Sequence, residues 1–193
     1  MGRLKQFDPD VAVTTAMDLF WRNGYGATTP AQLVAGLGIG KGSLYNTFGN
    51  KHRLFEQALR RYGDQRVAGL VETLAAPTPV RTRLQAALER LAAPEHAELR
   101  QRGCMAVNTA TELGPQRDPT ATAIVRSVFE RMEHALKATI EEGQRSGELD
   151  ASRDAGEIAS LLLTTMLGMT VIARTADRTE RLQRAVHAVL LLI

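Results

Sequence analysis

Residues 27–51 read ATTPAQLVAGLGIGKGSLYNTFGNK, and the local chemistry of that run decides the fold. Thr29-Pro30-Ala31-Gln32 has the form of a capping box. The Thr29 hydroxyl accepts from the third helical amide, Gln32 reaches back to the cap amide, and Pro30 occupies the first position, where no donor is missed. Leu33, Val34 and Leu37 then supply an apolar stripe at helical spacing. Gly36 and Gly38 mark the end of that helix, and Ile39 is expected to anchor a tight turn. Lys41 to Phe48 forms a second, two-turn helix in this reading. Leu44 and Phe48 are four apart on its inner face, leaving Lys41, Ser43, Asn46 and Thr47 outward. The pattern is a helix-turn-helix whose polar second helix has the character of one that enters a major groove.

Gly40 to Lys51 (Gly-Lys-Gly-Ser-Leu-Tyr-Asn-Thr-Phe-Gly-Asn-Lys) also resembles the recognition-helix signature of the TetR family of bacterial transcriptional regulators. The likeness extends back through Leu19-Phe20, Gly24-Tyr25 and Ala27-Thr28-Thr29, and forward to Leu54-Phe55. One position departs from the family pattern: Gly40 stands where a Ser or Thr usually precedes the lysine, so the recognition helix lacks its common side-chain cap. The resemblance implies an all-α protein of about nine helices. An N-terminal three-helix DNA-binding domain (1–50) and a connecting helix (51–76) lead to an effector-binding and dimerisation domain (77–193). It also implies roles residue by residue. Lys41, Ser43 and Asn46 face base edges, where lysine donates to guanine, asparagine pairs with adenine and serine adapts to either. Gly42 allows close approach of the backbone or a thymine methyl. Thr29, Tyr45, Thr47 and Lys51 match positions that hold phosphates, which set register and carry little sequence information.

The remaining sequence agrees with an all-helical reading. Hydrophobic residues make up 44% of the 193 and aromatics only 5%, so the core must rest on Leu, Ala, Val and Met. Long stretches of Ala, Leu, Glu, Arg and Gln favour helices. The net charge of +3 is uneven: residues 1–61 hold eight Lys/Arg against four Asp/Glu, and the other 132 residues hold 16 against 17. A basic N-terminal portion suits an anionic partner, here double-stranded DNA. The single cysteine excludes an intrachain disulfide and fits a reducing cytoplasm. No signal segment is legible at the start. The run Ile158–Ala173 is apolar but short and contains threonines, so a buried helix is expected there and no membrane span.

Asp8-Pro9-Asp10 opens a first helix that Gly24 stops, with Trp21 and Tyr25 expected as packing residues. Arg3 and Lys5 precede it as a short basic arm. Asn50 is expected to cap a long helix to about Ala75. Thr78 caps another with Pro79 at its first position, ending before Pro94. Four more follow: Gly103–Leu113, Pro119–Arg145 opened by Asp118, a helix started by residues Asp150 to Asp154 and carrying the apolar run, and a last helix capped by Asp177. The last two (about 153–173 and 178–192) are apolar on more than one face. Small residues at Ala155, Ala159, Gly168, Ala185 and Ala188 permit close approach, so these helices are expected to pair across a homodimer two-fold. Two recognition helices would then read a palindromic operator.

Enzyme chemistry finds no support: the four histidines show no metal-ligand spacing, no nucleophile elbow appears, and neither a cofactor nor a metal is implied. A small, rather apolar effector is the expected second partner. Met105, Asn108, Phe129, Met132 and Met166 are candidate pocket residues on amphipathic, Met-containing helices. Cys104 joins them and leaves an alternative open, a redox- or metal-responsive regulator in which this thiol is the sensor. Asn108 and Glu112 share its helix face and need polar partners: each other, water or an effector. The protein expected from all this is a ligand-responsive repressor of the cytoplasm. Five glycines between residues 36 and 49 predict a loosely ordered motif until DNA is bound.

Overall fold

The computed structural model describes residues 7–90, 101–175 and 179–193. Arg3, Lys5, Pro94 and Asp177 lie outside them. Among the described residues there is no strand, and ten helices are described from end to end. They are α1 (Pro9–Asn23), α2 (Pro30–Leu37), α3 (Lys41–Phe48), α4 (Lys51–Leu74), α5 (Val80–Glu89), α6 (Met105–Glu112), α7 (Gly114–Arg117), α8 (Pro119–Ser146), α9 (Ala155–Ala173) and α10 (Glu180–Leu191).

The helix boundaries follow the capping chemistry. Asp8 accepts from the amide of Asp10 to open α1. The Thr29–Gln32 capping box is complete at α2, and Asp154 accepts from Glu157 N to open α9. The Asn50 side chain accepts from Arg53 N at the start of α4. One start differs from expectation. Thr78 does not cap α5: Pro79 stands at the cap without a side-chain bond, and the Val80 amide instead donates to Glu148 Oε2, 2.6 Å away. A carboxylate 68 residues downstream fills the role that spacing assigned to a neighbour.

The chain divides into two compact units, Met1–Gln65 with Met105–Val125, and Arg66–Cys104 with Arg126–Ile193. These run along different lines from divisions at residues 50 and 76. Both α4 and α8 pass from one unit into the other, and α6, α7 and the start of α8 belong with the N-terminal helices. Hydrogen bonds reaching back from Glu112 and Asp118 to residues 25, 26 and 52 are the physical reason.

In the first unit α1 packs on α2 and α2 on α3. Phe20, Tyr25 and Phe55 form an aromatic group, with Phe20–Phe55 edge to face at 5.1 Å and Tyr25–Phe55 at 4.7 Å. Trp21 meets Tyr62 edge to face at 5.0 Å, so both expected packing aromatics pack. In the second unit one apolar cluster joins α5, α9, α10 and the inner faces of α4 and α8, from Leu70 and Leu74 through Leu136 and Ile140 to Val186 and Val189. Arg83 is buried there. Its guanidinium donates to Leu74 O at 2.7 Å and forks onto the Glu142 carboxylate.

Helix α9 starts three residues before the apolar run and so reaches 19 residues, long and apolar enough to cross a membrane by length and composition. Its buried residues, Ile158, Ala159, Leu162, Met166 and Met169 among them, belong to the core cluster. That placement is the one a buried core helix requires.

Candidate nucleic-acid interface

The interface is built on α3, and its placement depends on the turn before it. Gly38 closes α2 in the left-handed conformation (φ 63°, ψ 27°), a geometry that a side chain at this position would disfavour. Ile39 is buried beneath the turn. Helix α3 then starts at Gly40 without a side-chain cap, as the missing hydroxyl requires, and ends at Gly49. Its inner side chains, Leu44 and Phe48, are buried.

The opposite face is solvent-facing: Lys41, Gly42, Ser43 and Asn46 are exposed, while Tyr45 and Thr47 are half-buried at its margin. An added Cβ at Gly38, Gly40 or Gly42 would meet nothing within 4 Å, so the approach to the front of α3 is open. Thr29 is exposed, with its hydroxyl engaged at the α2 cap. Lys51 is half-buried. Its ammonium lies 4.2 Å from the centre of the Tyr25 ring, a cation–π arrangement. Burial lowers the Lys51 pKa, and the Glu112 carboxylate pulls partly in the other direction. Burial, then the Asp118 and Glu112 carboxylates, push the Tyr25 hydroxyl above its ordinary range.

The same unit holds a polar assembly that sequence spacing does not reveal. Glu112, the last residue of α6, accepts from two consecutive backbone amides: Tyr25 N to Oε2 at 2.9 Å and Gly26 N to Oε1 at 2.6 Å. An added Cβ on Gly24 or Gly26 would come within 2.9 Å of that carboxylate, so the two glycines also clear its path. Asp118 is buried. One of its oxygens caps α8 through Ala121 N at 2.9 Å, and the other lies 2.6 Å from His52 Nε2. The other ring nitrogen of His52 lies 3.0 Å from Glu56 Oε1. The partner that Glu112 needs is therefore the α1–α2 turn. The available signal was the pair of glycines around Tyr25 together with a carboxylate at the end of a helix of mixed character.

The six candidate pocket residues are divided between the two units. Met105 and Asn108 belong to the first unit, whereas Cys104, Phe129, Met132 and Met166 belong to the second. Met132 and Met166 are core side chains, and Phe129 packs against that core. Cys104 is a buried thiol that precedes α6 rather than beginning it. Among the described residues no group of three or more His, Cys, Asp or Glu is arranged to hold a metal. The second unit instead carries an open groove of about 770 Å³ along α4, α5 and α8, floored by Val67, Val71, Leu74, Ala75, Ala135 and Ala138. Arg83, Arg131, His134, Glu130 and Glu142 stand around it. None of the six candidates lines this groove.

A basic-capable recognition helix held by a glycine turn on a small helical body defines a helix-turn-helix DNA-binding protein. Comparison with known proteins narrows that class. A family described as "Bacterial regulatory proteins, tetR family" matches residues 12–58, and one described as "Tetracyclin repressor-like, C-terminal domain" matches residues 79–189. The chain belongs to the TetR family of transcriptional regulators. It is 31% identical to the HTH-type transcriptional regulator YezE of Bacillus subtilis over 95% of this chain and 94% of that one. Against the HTH-type transcriptional repressor ComR of Escherichia coli the identity is again 31%, over 95% and 87%. Among solved structures it resembles the TetR family regulator CifR, a cysteine mutant complexed with 26-bp double-strand operator DNA. The TM-score is 0.84 at 29% identity, covering 98% of both chains.

Proposed function

We propose that this TetR-family regulator acts as a homodimeric repressor that leaves a palindromic operator when a small molecule binds its second unit. The observation that carries the DNA reading is the two-faced α3, with Leu44 and Phe48 buried and Lys41, Gly42, Ser43 and Asn46 exposed together. The repressor ComR and the operator complex of CifR support it by similarity. Lys41, Ser43 and Asn46 read bases in this proposal. Thr29, Tyr45, Thr47 and Lys51 hold phosphates, with Lys51 exchanging the Tyr25 ring for a phosphate. Such a regulator works in the cytoplasm, which the single cysteine fits.

The dimer is proposed through α9 and α10. Their outward faces leave Leu161, Val171, Ile172, Leu191 and Leu192 between 38% and 69% exposed. Large apolar side chains left exposed on two packed helices suit a surface that a partner covers. Reading a palindrome as a dimer requires the two α3 helices to sit about one DNA turn, 34–36 Å, apart. The effector is proposed to enter the α4–α5–α8 groove, whose volume lies in the range of small-molecule sites. Its floor is apolar, and Arg83, whose buried Nε has no hydrogen-bond partner, lines it. The ligand acts only through its different affinities for the DNA-bound and released arrangements.

The test is selection of duplexes from a random double-stranded library, followed by anisotropy titration of the selected sequence. A palindrome bound with steep salt dependence is expected. Asn46→Ala should lose roughly 10-fold in discrimination at one base pair of each half-site while keeping the salt slope, since a bidentate base contact is lost and no phosphate contact is. Selection that yields no palindrome, or binding insensitive to salt, would refute the reading.

A further inference from the structure

We propose that Glu112 is a positioning residue for DNA binding: its carboxylate, seated on the Tyr25 and Gly26 amides, fixes the α1–α2 turn and through it the helix-turn-helix. The inference rests on the DNA-binding reading above.

The geometry is specific to this task. Each oxygen of one carboxylate accepts from one of two successive backbone amides, at 2.9 and 2.6 Å. Charge-assisted bonds of this kind are about twice as strong as neutral ones. The amides belong to the turn between α1 and α2, where they have no helix of their own to satisfy them. Two residues further on, the Thr28 hydroxyl donates to Gly24 O at 2.6 Å, and Thr29 follows as the α2 cap. Helix α2 packs on α3. The chain of contacts therefore runs from Glu112 through the turn and the α2 cap to the recognition helix. Glycine at residues 24 and 26 leaves room for the carboxylate, which a Cβ at either position would meet at 2.9 Å.

Simple electrostatics and the positioning role predict opposite signs. Deleting a negative charge from a DNA-binding body should strengthen attraction to the phosphates. Deleting a positioning group should weaken binding. Glu112→Ala removes both acceptors. Glu112→Gln keeps one oxygen and sets an NH2 donor against the second amide, so it satisfies only one of the two. Gly26→Ala attacks the same contact from the other side, because its Cβ would meet Oε1 at 2.9 Å.

The experiment measures the affinity of the full chain for the duplex selected above, with hydrogen exchange at the Tyr25 and Gly26 amides taken without DNA. Glu112→Ala and Gly26→Ala should each weaken binding about tenfold, the equivalent of one charged hydrogen bond lost from the bound state. The double variant should be no weaker than either single one, because an alanine at residue 112 no longer conflicts with the new methyl. Exchange at both amides should accelerate in Glu112→Ala while the buried core of α4 stays protected. Unchanged or tighter binding by folded Glu112→Ala, multiplying effects in the double variant, or Gly26→Ala binding like the parent would each overturn the proposal. Should Glu112→Ala fail to fold, Gly26→Ala alone decides by the same criterion. A parent protein that binds no duplex would count against the DNA-binding reading, whereas the exchange measurement addresses the latch alone.

Discussion

Asp118 holds two jobs in one buried carboxylate, and removing it should cost more than any surface charge of this protein. Oδ1 caps α8 through Ala121 N, and Oδ2 meets His52 Nε2 at 2.6 Å. Loss of a helix cap costs about 1 kcal/mol. A hydrogen bond to a charged group contributes roughly 1.5–3 kcal/mol, taken at its low end because the His52 side chain is 36% exposed and screened. Asp118→Ala should therefore destabilise the first unit by about 2.5 kcal/mol. Asp118→Asn, which keeps an acceptor for the cap, should cost about half as much. The assay follows from composition: Trp21 is the sole tryptophan and packs on Tyr62 in that unit, so its emission reports that unit's unfolding in urea. At a slope of about 2 kcal/mol per molar, the midpoint should fall by roughly 1 M. His52→Gln should cost little further in the Asp118→Ala background, because the pair is already broken. A loss below about 0.5 kcal/mol for Asp118→Ala, or full additivity with His52→Gln, would refute the reasoning.

Gly143 sits inside α8, where helix propensity alone makes alanine better by about 1 kcal/mol. Its Cβ would fall 2.9 Å from Leu149 Cδ1 and Val80 Cγ1, so Gly143→Ala should instead lose about 1–3 kcal/mol by overpacking, measured by urea unfolding followed by circular dichroism. The Arg83 hydrogen bond holds the Glu142 carboxyl below its ordinary value of 4.5, so the pair stabilises the fold above that value and the contribution disappears as pH falls through the lower folded one. Urea midpoints of the parent should thus fall more steeply below pH 4.5 than those of Glu142→Gln, and parallel curves would remove the pair as a cause. Val171→Glu or Leu191→Glu, placed on exposed apolar positions of α9 and α10, should convert the proposed dimer to monomer in light scattering and abolish tight binding to the selected duplex.

Local chemistry makes much of the fold legible in the sequence. The Thr29–Gln32 box, the Asp8, Asn50 and Asp118 caps and the glycine stops act over one helical turn, so spacing alone places them. The outward face of α3 follows from the burial of Leu44 and Phe48 on the other side. The Thr78 cap fails because Glu148, distant in sequence, takes the Val80 amide. The candidate pocket residues are harder to assign from sequence. Methionines on an amphipathic face suit a core and a ligand site equally well. Here Met132 and Met166 belong to the core cluster, and neither lines the groove along α4, α5 and α8.

By itself the sequence determined that this protein is all-helical and carries a helix-turn-helix with a polar, uncapped recognition helix. Those features depend on periodicity, capping and glycine conformation, each set by neighbours within about four residues. Only the tertiary structure decided that residues 105–125 belong to the DNA-binding unit, that Glu112 closes on the Tyr25 and Gly26 amides, and that Asp118 reaches His52. Those bonds join residues 66 to 87 positions apart. Their energy comes from carboxylates meeting donors that the fold brings together, and no local pattern encodes that meeting.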